Sequence, residues 1–184
     1  MFTYKLDDDS ELLLMEARHA EELYELVDAN REHLRQWLPW VDGEKSPEDG
    51  RIFIQSMLRQ FAYTEGLLVA IMYQGKIAGS IGLHDINQHV GTAQIGYWLG
   101  KEYEGKGLMT KACLTLMQYG FESLNLNRIM IRVEPENTRS RAIPRRLGYH
   151  YEGTMRKVGQ SINGPVDLEI YSMLRHEWDA RKQS

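Results

Sequence analysis

The hydrophobic and polar positions along the chain change their period several times, and each change predicts a new element. Residues 12–15 form a short apolar run that is typical of a strand. Leu23, Leu26 and Val27 then recur at the spacing of an amphipathic helix. A second helix should begin within residues 46–49, where a capping serine, a proline and an aspartate form a capping box. Its expected buried face consists of Ile52, Ile54, Met57, Leu58 and Phe61.

From residue 67 the pattern changes to strands. Residues 67–73 and 77–84 flank the tight turn Gln74-Gly75, which predicts a hairpin. A second hairpin should follow at once, with residues 92–99 as its far arm. A helix is then expected over residues 108–123 because apolar residues keep to one stripe. That stripe consists of Met109, Ala112, Cys113, Leu116, Met117 and Phe121.

The last third of the chain predicts three more strands and a short helix. Residues 128–133 alternate between apolar and polar positions, as in a strand with one wet side. A helix over residues 137–147 should stop at Gly148, and strands are expected over residues 149–154 and 166–174. These elements predict one domain over residues 1–184, in the α+β class, with a central mixed, mostly antiparallel sheet flanked by helices.

Composition and charge narrow the class of protein. The 184 residues are 42% hydrophobic, and the formal net charge is −4 without a basic block. This balance argues against direct nucleic-acid or acidic-membrane binding. Cys113 is the only cysteine, which excludes a disulfide framework and a multi-thiolate metal site. We therefore expect a cytoplasmic protein without a metal and without a membrane span, and a homodimer remains open.

Residues 104–110 carry the first candidate chemistry. Gly105 and Gly107 lie between a predicted strand and a predicted helix, where main-chain amides and a helix N-terminus attract an anion. Thr110 could add a hydroxyl group in the first helical turn. The segment lacks both the Walker pattern and the third glycine of a dinucleotide fingerprint. It predicts a phosphate site, although a plain glycine-rich turn would have the same pattern.

The order of motifs after this loop resembles the GNAT acetyltransferase superfamily. The loop is followed by residues 136–143, which contain Asn-x-x-Ser, and then by Leu-Gly-Tyr at residues 147–149. Residues 93–99 and 167–174 make the chain similar to the Rim-type branch, the N-terminal (alanine/serine) acetyltransferases of ribosomal proteins. The resemblance covers nearly the whole chain and implies a GNAT fold and transfer of an acetyl group from acetyl-CoA.

The resemblance also implies which residues hold acetyl-CoA. The open edge of the strand over residues 95–99 would pair with the pantetheine arm, and a main-chain N–H there would polarise the thioester carbonyl. The glycine loop would hold the pyrophosphate. The expected binding residues are Tyr97, Trp98, Leu99, Glu104, Gly105, Lys106, Gly107, Leu108, Met109, Thr110, Asn137 and Ser140.

Ser140 matches the family residue that stabilises or protonates the leaving thiolate. A serine hydroxyl is too weak an acid to serve as more than a hydrogen-bond donor or relay. Two alternatives remain open: Ser140 could satisfy the start of its helix, and Asn137 could be an ordinary N-cap. Pro144 lacks an N–H, so a carbonyl near Ser140 should be free to face a ligand or water.

The chain departs from the family pattern at the loop and at the base. Glu104 occupies a Gln/Arg position, so its carboxylate must point away or be offset by Lys106. The glutamate expected just before the Asn-Gly turn is missing. His84, Asp85 and Glu134 are the candidate bases, and each could equally be a surface residue.

Three functions remain open at this point. The leading one is acetylation of a primary amine, most simply the N-terminal α-amine of a protein such as a ribosomal protein. A second is acetylation of a small amine such as a polyamine, an amino acid or an aminoglycoside. A third is a regulatory module that binds acyl-CoA without transfer. Asp167 and Glu169, on one strand face with Tyr171, would attract a cationic acceptor or simply face solvent.

Overall fold

A computed structural model describes residues 2–181, and its strands form a single sheet. The strands are β1 (Thr3–Lys5), β2 (Ser10–Leu14), β3 (Leu67–Tyr73), β4 (Lys76–Asn87), β5 (Thr92–Leu99), β6 (Arg128–Val133), β7 (His150–Ser161) and β8 (Gly164–Leu174). Their order in the eight-stranded sheet is β1-β2-β3-β4-β5-β6-β8-β7. The β5–β6 ladder is parallel and the other ladders are antiparallel, which confirms the expected mixed sheet.

Helices cover both faces of this sheet. They are α1 (Ala20–Ala29), α2 (Arg31–Leu34), α3 (Pro47–Ala62), α4 (Leu108–Gln118), α5 (Thr138–Arg146) and α6 (Arg175–Arg181). Helices α1 and α3 pack on one face, where Leu23, Leu26 and Ile54 join a core cluster with β3. Helix α4 packs on the other face, and Trp178 of α6 stacks on Phe121 at a ring-centroid distance of 5.6 Å. In the described residues, no helix is both long and apolar enough to cross a membrane.

Local signals account for the helix boundaries. The Asp49 carboxylate accepts hydrogen bonds from the Ser46 amide and hydroxyl, each at 2.9 Å, so the capping box at the start of α3 is confirmed. The predicted stripe of α4 is buried along its whole length. The helix widens into a π-helical turn at Tyr119–Ser123, where the expected helix ends. Gly148, at a φ of +71°, follows the end of α5 as predicted.

The structure differs from the sequence-based expectations in the buried face of α3, in the lengths of two strands and in two elements that were not predicted. Ile52 and Phe61 of α3 are partly exposed instead of buried, because the buried face of α3 is narrower than the apolar pattern. Strands β7 and β8 are longer than predicted and meet directly at the turn. Strand β1 and helix α6 were not predicted, since all three residues of β1 are exposed and α6 buries only Trp178. The glycine loop still lies between β5 and α4, as the sequence predicts.

Candidate active site

The glycine loop has room for a ligand. Gly105 and Gly107 adopt left-handed φ values of +75° and +76°, which disfavour any residue with a Cβ. A Cβ built at either glycine would find no other atom within 4 Å, so the space above the loop is open. Gly107 is the N-cap of α4, whose first amides therefore face this space. A cradle of this kind fits the pyrophosphate of CoA.

The other loop side chains point to different partners. Glu104 is held by His33, whose Nε2 lies 3.1 Å from Glu104 Oε1, and by Arg139. The Arg139 guanidinium thus offsets the charge of Glu104, while Lys106 lies over the Tyr73 ring at 5.5 Å. Of the two expected alternatives, that Glu104 points away or is offset by Lys106, the second is not seen, because His33 and Arg139 hold the carboxylate.

Three further loop residues contribute little side-chain surface to a ligand. Leu108 and Met109 are buried in the core, so only their main-chain groups face the cradle. The Thr110 hydroxyl accepts a hydrogen bond from Arg146 Nη1 at 2.9 Å. Arg146 therefore brings a guanidinium group to the first turn of α4, a contact that the sequence did not reveal.

Strands β5 and β6 separate in front of this loop. Their parallel register covers Thr92–Gln94 opposite Arg128–Met130 and ends there. The remainder of β5, which includes Tyr97, Trp98 and Leu99, continues beyond the last paired residue. An extended chain could add to this edge as another strand would. The expected open edge of β5 is therefore present.

Ser140 lies in the first turn of α5, opposite β5. The Asn137 side chain accepts a hydrogen bond from the Ser140 amide at 3.1 Å, so Asn137 is the N-cap and Ser140 is not needed to satisfy the helix start. The Ser140 hydroxyl instead donates to Tyr97 Oη at 3.3 Å. The Ser140 carbonyl accepts from the same Tyr97 hydroxyl at 3.0 Å. The expectation that this carbonyl faces a ligand or water was wrong, because Tyr97 occupies it.

His84 lies on the opposite face of the sheet from the Tyr97 side chain. Its ring lies over a pair of glycines, since a Cβ built on Gly82 or Gly96 would lie 3.0 Å or 3.3 Å from His84 Nε2. Burial lowers the pKa of His84, and the nearby Asp85 carboxylate opposes this only in part. The imidazole is therefore neutral near pH 7 and can accept a proton.

The two other candidate bases are placed less favourably. The Asp85 side chain is 77% exposed and lies 4.0 Å from an Arg132 guanidinium. Glu134 follows the end of β6, and burial together with repulsion from Glu136 raises its pKa. The structure thus brings His84 and Ser140 to the two sides of β5, while Glu134 lies beyond the end of β6.

Several polar residues on β8 form hydrogen bonds and ion pairs within the protein. Glu169 binds the Arg141 guanidinium through two contacts of 2.8 Å and accepts a hydrogen bond of 2.6 Å from Tyr171 Oη. Asp167 accepts from the Lys157 amide at 2.9 Å. Two alternatives were left open for Glu169, attraction of a cationic acceptor and exposure to solvent. The structure shows neither, because Glu169 is buried and paired with Arg141.

An aromatic contact lies on the same face of the sheet as His84. Trp40 packs against Trp98 with ring centroids 6.1 Å apart, and Trp40 remains 43% exposed. Helix α2 is fixed beside it, since the Asn30 side chain accepts from the Lys101 amide at 2.8 Å. Trp40 thus covers Trp98 with one part of its ring and leaves the other part open to solvent.

A helix-opening glycine loop beside two diverging strands is a class of site whose shape and main-chain amides suit an anionic, extended ligand. Comparison with known proteins makes this class specific, because residues 11–150 match the family model of the acetyltransferase (GNAT) domain. The chain therefore belongs to the GNAT acetyltransferase family and is an N-acetyltransferase.

Individual relatives agree with this family. The Bacillus subtilis protein YdaF, named provisionally as a ribosomal N-acetyltransferase, is 40% identical over 184 residues that cover 99% of this chain and 100% of YdaF. The ribosomal-protein-serine acetyltransferase of Escherichia coli is 28% identical over 94% of this chain and 96% of its own. Among solved structures, the microcin C7 self-immunity acetyltransferase MccE in complex with acetyl-CoA and AMP has a TM-score of 0.88. That structure is 32% identical and covers 92% of this chain and 94% of its own.

Proposed function

We propose that this protein transfers the acetyl group of acetyl-CoA to the N-terminal α-amine of a protein, such as a ribosomal protein. The observation that carries the proposal is the separation of β5 from β6 directly in front of the glycine loop. This separation places an unpaired strand edge next to an anion cradle, so an extended donor molecule could contact both. The relatives with ribosomal-protein names support the choice of acceptor.

Donor binding follows from the main chain. The loop at Gly105 and Gly107 would hold the pyrophosphate, and the unpaired edge of β5 would hydrogen-bond the pantetheine arm. Acetyl-CoA supplies an acyl group activated as a thioester. A main-chain N–H of β5 at the thioester carbonyl would stabilise the negative charge that develops on that oxygen.

We assign the proton acceptor to His84 and the leaving-group contact to Ser140. The amine nitrogen forms a bond to the thioester carbon while the carbon–sulfur bond breaks. The amine proton passes to the neutral His84 imidazole, and the Ser140 hydroxyl donates a hydrogen bond to the departing thiolate. The two side chains lie on opposite sides of β5. The amine can therefore approach on the His84 side while the thiolate leaves on the Ser140 side. Glu134 is the second candidate for the base.

The preference for an α-amine follows from the cost of deprotonation. An α-amine with a pKa of about 7.7–8.0 needs roughly 1 kcal/mol to lose its proton at pH 7, whereas a lysine amine with a pKa of about 10.4 needs roughly 4.6 kcal/mol. A neutral histidine is a weak base. The site should therefore acetylate the first kind of amine far better than the second.

The test uses one peptide with a free N-terminus and one internal lysine, together with a control peptide of the same sequence whose N-terminus is blocked. Mass spectrometry after reaction with acetyl-CoA should place the acetyl group on the terminus of the first peptide and leave the second unmodified. His84→Gln should lower kcat/KM more than Glu134→Gln does. Preferential labelling of lysine, or faster turnover of a polyamine or amino acid, would contradict the proposal.

We further propose a cytoplasmic location, which the buried, unpaired thiol of Cys113 supports. Burial raises the pKa of this thiol well above its usual range, so it is not a nucleophile. Formation of a homodimer, which the sequence left open, stays a prediction.

A further inference from the structure

The interior of α5 contains a proline, Pro144, which affects the hydrogen bonding of Ser140 one helical turn earlier. In a regular helix, the carbonyl of residue 140 would accept from the N–H of residue 144. Pro144 has no N–H, so it leaves that carbonyl without its helical donor. The Tyr97 hydroxyl supplies the missing donor from β5, at 3.0 Å.

The same Tyr97 hydroxyl meets the Ser140 side chain. Ser140 Oγ donates to Tyr97 Oη at 3.3 Å, so one phenol group touches Ser140 at both its carbonyl and its hydroxyl. Burial raises the pKa of Tyr97 far above its usual range, which keeps the phenol protonated throughout the physiological range. Tyr97 is thus a permanent hydrogen-bond donor with one lone pair committed to Ser140.

We infer that Tyr97 is a positioning residue for Ser140, and that Pro144 creates the free carbonyl that orients the Tyr97 hydroxyl. The inference rests on the role proposed above for Ser140 in acetyl transfer. It assigns to the phenol no contact with the substrate.

The hydrogen bonds between Tyr97 and Ser140 can rearrange without any proton transfer between the two residues. Before reaction, Ser140 donates to Tyr97 and Tyr97 donates to the Ser140 carbonyl. When negative charge develops on the leaving sulfur, the Ser140 hydroxyl turns towards it. The Tyr97 hydroxyl, still held by the Ser140 carbonyl, then shares its hydrogen between that carbonyl and Ser140 Oγ as a three-centre bond. A hydroxyl that accepts one hydrogen bond donates a stronger one, so the chain Tyr97–Ser140–sulfur stabilises the thiolate better than Ser140 alone. The 3.3 Å contact between the two hydroxyl oxygens therefore exchanges its donor and acceptor and is not lost.

The test is a set of variants compared by kcat and by the Kd of acetyl-CoA. Tyr97→Phe should lower kcat about three- to tenfold, the value of one hydrogen bond, with less than about a twofold change in Kd. Pro144→Ala restores the N–H that competes for the Ser140 carbonyl. It should lower kcat by a similar factor while the melting temperature stays equal or rises, since a proline leaves the helix interior. A merely structural role for Pro144 would not lower kcat while the melting temperature rises.

A matched control and a double-mutant analysis complete the test. The Tyr149 hydroxyl is also buried, and the described residues offer it no hydrogen-bond partner, so Tyr149→Phe should leave kcat within about twofold. Tyr97→Phe should have no further effect in a Ser140→Ala background, and Pro144→Ala should have none in a Tyr97→Phe background.

All rates are measured on whichever amine the wild-type protein acetylates, so a different acceptor preference leaves the result valid. If Ser140→Ala retains full kcat, both the proposed role of Ser140 and this inference are wrong. If Ser140→Ala loses activity but Tyr97→Phe retains it, or if the two losses multiply, the inference alone is overturned. Loss of activity in Tyr149→Phe equal to that in Tyr97→Phe would also overturn it.

Discussion

Replacement of Gly107 can show separately how this position affects the stability of the fold and how it affects the affinity for acetyl-CoA. Gly107 has a φ of +76°, and a Cβ there would meet no protein atom within 4 Å. Gly107→Ala should therefore lower the free energy of unfolding only by the left-handed backbone cost of about 1–2 kcal/mol. For a domain of this size, each kcal/mol shifts the melting temperature by roughly 2–4 °C.

The effect on acetyl-CoA should be larger when the added side chain is charged. A glutamate carboxylate about 5 Å from a phosphate charge is repelled by about 3 kcal/mol at an effective dielectric constant of about 20, which is roughly a hundredfold in Kd. Gly107→Glu should thus lose at least this factor in calorimetric titration, in addition to the steric block. Gly107→Ala should lose less.

Gly75 provides the matched control for this prediction. It has a φ of +79°, has no atom within 4 Å of a built Cβ, and lies in the turn between β3 and β4. Gly75→Glu should lower the melting temperature as much as Gly107→Glu does and leave the Kd of acetyl-CoA within about twofold. If Gly107→Glu binds acetyl-CoA as well as the wild type does, the glycine loop is not the pyrophosphate site.

Three further predictions concern single side chains. Ser140→Ala should lower kcat more than it weakens acetyl-CoA binding, since a donor to the thiolate acts mainly in the transition state; normal kcat in steady-state assays would exclude that role. Glu169→Gln removes the charge of a buried carboxylate that pairs with the half-buried Arg141 guanidinium, so it should lower the free energy of unfolding in urea clearly more than Asp179→Asn, in an exposed ion pair, does; equal effects would show that burial is irrelevant. The folded-state pKa of His84 lies below its ordinary 6.5, so the unfolded chain takes up a proton first as the pH falls. The free energy of unfolding should therefore decrease as the pH drops below about 6.5, and His84→Gln should flatten this slope; an unchanged slope would contradict the assignment.

Elements with strong local signals could be predicted from the sequence. The capping box at Ser46 and Asp49 and the stripe of α4 around Cys113 involve neighbours within one or two helical turns. Strand β1 and helix α6 escaped prediction because each buries almost no side chain and so leaves no periodic pattern.

Contacts between distant segments could not be predicted in the same way. Tyr97 and Ser140 are 43 residues apart, and no spacing in the sequence pairs them. Pro144 did indicate that a carbonyl near Ser140 lacks its helical donor, but the partner depends on how α5 packs against β5. The pairing of Glu104 with His33 and Arg139 likewise needs three separate elements in place.

The short ladder between β5 and β6 also has a consequence for the dynamics of the sheet. Only the pairs from Thr92–Arg128 to Gln94–Met130 join these strands, so the amides of β5 beyond Gln94 on that edge should exchange with solvent hydrogen much faster than those of β3 and β4. A donor seated along β5 would bridge both halves of the sheet and protect these amides. Its binding free energy would then add to the stability of the whole fold, so the melting temperature should rise with donor concentration.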